Sequence, residues 1–183
     1  MKILVSGFCA FANFDENITQ KLLSKLPDKI EDNEIFKVIL PVEYEKAFLL
    51  LDKVAQQFRP DYIISTGMAA SRKCISIERI ALNINNSDTP DNAGVLKKDS
   101  LITPKSNAAH FSTLDYPKSV YDIELVKNSY SAGTYVCNDL FFRLLDKDGL
   151  NSNLGISFIH FPSEDNIPYE KQLSILIDIL SLL

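Results

Sequence analysis

Hydrophobic positions along the chain switch between short β-branched runs and longer stretches spaced by three and four. Lys2 to Val5 opens as an apolar strand, and the segment near Asn17 to Leu26 reads as a helix. A strand near Ile35 to Pro41 follows, then a helix near Tyr44 to Gln57, where Ala47, Leu50, Leu51, Val54 and Phe58 recur at helical spacing. Asp61 to Ser65 is an apolar strand run, and Ile75 to Ile84 reads as one longer strand. From Asn85 to Asp115 the chain turns polar, holds Pro90, Gly94 and Pro104, and shows no period. A loop of that length inside a compact domain is usually functional or mobile. Pro117 to Lys127 reads as helical, Asn138 to Asp146 as a strongly patterned helix, Gly155 to His160 as a strand and Tyr169 to Leu183 as a closing helix. Strands alternating with helices predict an α/β fold: a three-layer α/β/α domain with a mostly parallel or mixed central sheet and helices on both faces.

Composition narrows this picture. With 183 residues, 46% of them hydrophobic, the chain can bury one good core, and no interior stretch resembles a linker, so residues 1–183 are expected to form a single domain. No apolar run approaches the roughly 18 residues of a membrane span, and the first eight residues read as a buried strand rather than a signal peptide. A net charge of −5 without Lys/Arg clusters argues against nucleic acid as a partner. Three cysteines with no CxxC spacing argue against a disulfide framework or a zinc site and for a reducing cytoplasm. Neither metal nor cofactor is expected.

The most informative segment is Ser131-Ala132-Gly133-Thr134-Tyr135-Val136-Cys137-Asn138, which places Cys137 at or just before the first turn of the helix that follows. The positive end of a helix dipole favours thiolate over thiol. By itself Cys137 reads more readily as a small buried residue packing a helix start, because cysteine is among the most buried residue types. A partner base decides between the two. The chain has two histidines. His160 stands at the end of an apolar strand that Pro162 terminates, whereas His110 lies in a loop-like stretch and reads as structural. A histidine base needs an acid to fix its tautomer and orientation. Glu78, placed on one face of the expected long strand with Ile80, Leu82 and Ile84, is the candidate. A Glu78–Arg79 pair on a solvated edge is the competing reading, although adjacent strand residues point to opposite faces. Cys9 and Cys74 read as inert packing residues.

Taken in order, three segments resemble the pyroglutamyl peptidase I family: Ser76-Ile77-Glu78-Arg79 with Ala81 and Asn83; Ser131 to Asn138; and Phe158-Ile159-His160-Phe161-Pro162. The opening Met1 to Phe8 followed by Phe11 is similar to that family's first strand and Gly-Phe-x-Pro-Phe loop. Leu40-Pro41-Val42, Arg59-Pro60-Asp61, Pro90-Asp91-Asn92 with Gly94, and Ala108-Ala109 with Phe111-Ser112-Thr113-Leu114 extend the likeness over nearly the whole chain. The resemblance implies a cysteine exopeptidase that removes N-terminal pyroglutamyl groups from peptides, with Cys137 as nucleophile, His160 as base and Glu78 as the acid that orients it. It implies also that Phe8 and Phe11 wall the pocket for the lactam ring; otherwise both read as core filling. A homo-oligomer, dimer or tetramer, is implied by the resemblance alone.

The chain departs from the family pattern at several positions. Where members read Gly-Gln-Ala-Gly-Gly-Arg, it has Gly67-Met68-Ala69-Ala70-Ser71-Arg72, so Met68 takes the substrate-binding position of a glutamine. Ten residues after Glu78, where members carry an arginine, it has Asp88, which would repel a developing oxyanion or must point away. The opening loop has Cys9-Ala10 and Ala12-Asn13 in place of proline and glycines. Two alternatives to a pyroglutamyl peptidase therefore stay open: a catalytically weak or silent homologue acting as a binding or scaffold protein, and a cysteine amidase with shifted acyl specificity.

Overall fold

A computed structural model describes residues 1–11, 16–147 and 153–183. Nine strands and five helices run in the order β1 (Lys2–Phe8), α1 (Ile18–Lys25), β2 (Lys29–Ile30), β3 (Asn33–Leu40), α2 (Lys46–Phe58), β4 (Tyr62–Met68), β5 (Ile75–Glu78), β6 (Ile80–Leu82), β7 (Ala109–Phe111), α3 (Lys118–Tyr121), β8 (Val126–Ser129), α4 (Val136–Lys147), β9 (Gly155–Phe161) and α5 (Tyr169–Ser181) among the described residues. Seven strands form the central sheet in the order β2-β3-β1-β4-β9-β5-β8. Its middle, β3-β1-β4-β9, is parallel. Direction reverses between β9 and β5, and β8 follows β5 in parallel, so the sheet is mixed.

Both faces are covered. Residues such as Ile3, Val5, Ile64, Ile77, Ile159 and Phe161 pack in one apolar cluster with α1 and α5. Their neighbours in sequence, Leu4, Ile63, Ile156 and Phe158, pack in a second with α2 and α4. Consecutive strand residues thus face opposite layers, and a strand buried on both sides reads as a continuous apolar run. This is the expected α/β/α arrangement.

Three stretches differ from the pattern-based expectation, the first being the expected loop from Asn85 to Asp115, which contains β7 with His110 on it. The strand expected from Ile75 to Ile84 is two strands in two sheets: β5 ends at Glu78, and β6 pairs antiparallel with β7 in a separate ribbon. Arg79 makes the break. Its N–H donates to Ser129, its carbonyl accepts from Ser112, and its guanidinium binds Asp115, so the backbone swings out of the main sheet there. An unbroken apolar alternation carries no mark of such a crossing. The stretch expected to be helical from Pro117 to Lys127 is the single turn α3 followed by the edge strand β8.

Between β6 and β7 the polar stretch is held largely by buried amides and carboxylates. Asn83 accepts from the N–H groups of Ile102 and Thr103 and donates to the Thr103 carbonyl. Asp91 accepts from the N–H groups of Tyr44, Ala93 and Val95. Such side chains satisfy backbone groups that would otherwise be buried without partners.

Candidate active site

The start of α4 is fixed before its cysteine is considered. Asn138 is fully buried and pairs with β6 as a strand would, accepting from the Leu82 N–H at 2.9 Å and donating to the Leu82 carbonyl at 2.8 Å. Asp139 accepts from Asn85 Nδ2 at 2.7 Å, from the Glu45 N–H at 3.2 Å and from Arg143 Nε at 2.9 Å. These neighbours set the roll of the helix, and Cys137 is its second residue.

Cys137 Sγ lies over Gly67 on β4. A Cβ at Gly67 would stand 2.8 Å from Sγ and 2.9 Å from the Phe158 ring, so only glycine leaves room for the thiol. Gly67 is the register partner of His160 on β9, and neighbouring strands lie about 4.8 Å apart. Phe158, two residues before His160 on the same face, packs its ring 4.8 Å from the imidazole. Thiol and imidazole therefore sit side by side on the α4 face of the sheet.

Glu78 ends β5 opposite Phe158, which makes His160 its diagonal neighbour on that face. His160 Nδ1 bonds Glu78 Oε1 at 2.7 Å, and both residues are buried. With Nδ1–H donated to the carboxylate, Nε2 carries the lone pair. Arg72, in the turn after β4, donates from Nη1 to the same Glu78 oxygen at 2.6 Å and from Nη2 to the Ser131 carbonyl at 3.0 Å. Glu78 thus binds Arg72, and Arg79 goes to Asp115 instead.

Beside the thiol opens a narrow cleft of about 30 Å³ lined by Phe8, Phe11, Asn17, Val42, Met68, Tyr135 and Cys137. Phe8 N–H is anchored by Thr19 Oγ1 at 3.0 Å, and Asn17 caps α1, so the end of β1 and the start of α1 hold one wall. Tyr135 fixes another by donating its hydroxyl to the Pro90 carbonyl at 2.9 Å. The six residues expected to form the site, Phe8, Phe11, Met68, Glu78, Cys137 and His160, meet at one end of the sheet. Ala12 and Asn13 lie outside the described residues.

The pyroglutamyl peptidase family model matches residues 1–174. The chain belongs to that family. The pyrrolidone-carboxylate peptidase of Thermosipho melanesiensis is 37% identical over 177 residues, covering 94% of this chain and 88% of the relative. That of Fusobacterium nucleatum is 39% identical over 170 residues, covering 88% and 78%. Among solved structures, pyroglutamyl peptidase I of Bacillus amyloliquefaciens superposes with a TM-score of 0.89 at 25% identity, over 99% of this chain and 95% of that one. Pyrrolidone carboxyl peptidase of Thermus thermophilus gives 0.88 at 28% identity, over 99% and 100%.

The electrostatics of the site correct one expectation. Burial pushes the Cys137 thiol up to about 12, and the charge of Glu78 adds to it, while Arg72 and the local backbone N–H pull the other way. Burial also lowers His160 below its ordinary 6.5, against the hydrogen bond and charge of Glu78. Desolvation works against the helix terminus here, and the surroundings favour the thiol of Cys137 and the neutral imidazole of His160.

His110 holds no place in this site. Its Nε2 bonds Ser106 Oγ at 3.1 Å and Asp146 Oδ1 at 3.0 Å, and its ring packs on Phe142 at 4.8 Å. Asp146 is nine residues beyond Cys137, about 13 Å along α4. Asp88 points away: it is almost fully exposed and pairs with Lys98. Arg72, Asn138 and Asp139 were not singled out in the sequence. Arg72 ends the Gly67–Arg72 segment already compared with the family, which was its available signal; nothing in the pattern marks the other two as inward-facing. Among the described residues no group of His, Cys, Asp and Glu is gathered that could hold a metal ion.

Proposed function

We propose that Cys137, His160 and Glu78 carry the thiol-peptidase chemistry of this family, the release of an N-terminal pyroglutamyl residue from a peptide. The observation that supports this most is the thiol on bare Gly67 beside an imidazole whose Nδ1 is held by a buried carboxylate. The chain is a cysteine peptidase of the pyroglutamyl type. In the proposed reaction the Cys137 sulfur attacks the pyroglutamyl carbonyl while its proton passes to His160 Nε2. A neutral starting pair makes this a general-base step, and Glu78 stabilises the imidazolium as it forms. The first N–H groups of α4 have no partner within the helix and offer donors to the carbonyl oxygen as it gains charge. His160 returns the proton to the leaving amine, and water then hydrolyses the thioester by the same route, giving pyroglutamate and regenerating the thiol.

The pocket supports a small, flat, neutral acyl group: Phe8, Phe11, Val42, Met68 and Tyr135 supply apolar walls. A second reading, a cysteine amidase with shifted acyl preference, draws on Met68. That side chain offers the lactam no hydrogen bond, the Tyr135 hydroxyl is committed to Pro90, and Asn17 is committed to Thr19 and Cys9. We infer a cytoplasmic setting from three reduced cysteines; no helix among the described residues is long and apolar enough to cross a membrane. The test is a fluorogenic pyroglutamyl-amide assay on purified protein and its Cys137→Ala variant. Cleavage by the first and none by the second is expected. Cleavage of other small acyl amides but not pyroglutamyl amides would favour the second reading, and a folded, wholly inactive protein would overturn both.

A further inference from the structure

One oxygen of Glu78 serves two donors. Oε1 accepts both His160 Nδ1–H at 2.7 Å and Arg72 Nη1–H at 2.6 Å, while Oε2 is buried without a partner among the described residues. A buried carboxylate with only an imidazole beside it draws the proton onto that imidazole, and an imidazolium cannot accept another from a thiol. A guanidinium on the same oxygen spends part of that attraction. We propose that Arg72 is a positioning residue for the catalytic pair: it neutralises Glu78 enough to keep His160 an unprotonated base, and it couples that setting to the segment leading into Cys137 through the Ser131 carbonyl.

The turn that carries Arg72 is built to hold still. Arg72 N–H donates to the Ala69 carbonyl, and the Ala70 carbonyl accepts from Ser163 N–H, Ser163 Oγ and Asn166 Nδ2. The guanidinium therefore reaches inward from a fixed base, with its side chain about a quarter exposed. Ser131, its second partner, lies six residues before Cys137. One planar side chain thus touches the acid and the approach to the nucleophile, a fork that a lysine does not reproduce. Among the described residues the charged groups acting on His160 are Glu78 from β5 and Arg72 from the turn before it, with the Cys137 thiol from α4 over Gly67 on the neighbouring strand; β4 and β9 bring Gly67 and Phe158, which do not titrate. Arg72 lowers His160 where Glu78 raises it, in keeping with this division of labour.

The inference rests on the assignment of His160 as the base, and its test separates the two. The chain has two histidines, so an NMR pH titration of imidazole Cε1–H gives two signals, with His110 as an internal control. In Arg72→Gln the His160 midpoint should rise by about one pH unit as Glu78 loses its cation, while His110 stays unmoved. The acid limb of kcat/KM for a pyroglutamyl amide should move up with it, so activity falls more at pH 6 than at pH 8. Arg72→Lys, which keeps the charge but not the fork, should restore the midpoint more fully than kcat. If Arg72→Gln does not fold, Arg72→Met is read in its place. An unchanged His160 midpoint in the folded neutral variant would overturn the proposal. An inactive wild type would overturn the assigned reaction while leaving the titration readable.

Discussion

Two histidine clusters lie toward opposite ends of α4, built from similar residues and wired differently. At the N-terminal end, Glu78 binds His160 at Nδ1 and leaves its Nε2 out of that bond. Toward the other end, Ser106 and Asp146 both bind His110 at the same nitrogen, Nε2, and Ser106 also bonds Asp146 directly. A hydroxyl, an imidazole and a carboxylate are all present there, yet the acid does not sit behind the ring to orient it toward the hydroxyl. The cluster ties the segment before β7 to the end of α4. Which ring atom meets which partner, more than residue type, separates a relay from a latch.

The contrast is broken first by removing each histidine. His160→Ala should lower kcat/KM for a pyroglutamyl amide by about 10³-fold or more, since both proton transfers pass through it. His110→Ala should leave kcat within a few-fold but reduce stability by about 1–3 kcal/mol, because Asp146 and Ser106 lose a buried partner. Thermal melts beside steady-state kinetics check both, and the opposite pattern would transfer the catalytic role to His110. Gly67→Ala is the next probe: a methyl group 2.8 Å from Sγ must displace the thiol or the Phe158 ring. Turnover should fall by about 10²-fold in a protein that still folds, and near-normal kcat would mean that the thiol does not work from its place over Gly67.

Smaller effects belong to the two departures from the family pattern. Met68→Gln, at the pocket wall, should lower KM several-fold by returning a polar partner to the lactam, with kcat little changed. Asp88→Arg should change neither constant by more than about twofold, since Asp88 is exposed and paired with Lys98. Equal effects from both, measured side by side, would contradict the location given to each.

Much of the frame was legible in the sequence because strands covered on both faces are runs of apolar residues and α4 carries a clear stripe. The meeting of Glu78 with His160 was legible through the order of their segments. What escaped detection depended on long-range partners. Arg79 ends β5 through contacts with Ser129, Ser112 and Asp115, and these lie 33 or more residues away in the chain. Strand β8 is short and mostly polar, as suits its place at the sheet edge. The helix-dipole argument for Cys137 left out an opposing effect: a helix terminus contributes about 1 kcal/mol or less near a surface, and desolvation pushes the thiol the other way.

The central claim is that Cys137 is the nucleophile and that it rests as a thiol beside a neutral His160. Iodoacetamide labelling across pH 5 to 10, with peptide mapping of Cys9, Cys74 and Cys137 and activity followed in the same samples, tests it directly. Loss of activity should track modification of Cys137 one to one, and the rate of that modification should keep rising through neutral pH without a plateau, because only the thiolate reacts. Activity lost while Cys137 stays unmodified would contradict the nucleophile, and a rate already level below pH 7 would contradict the neutral pair.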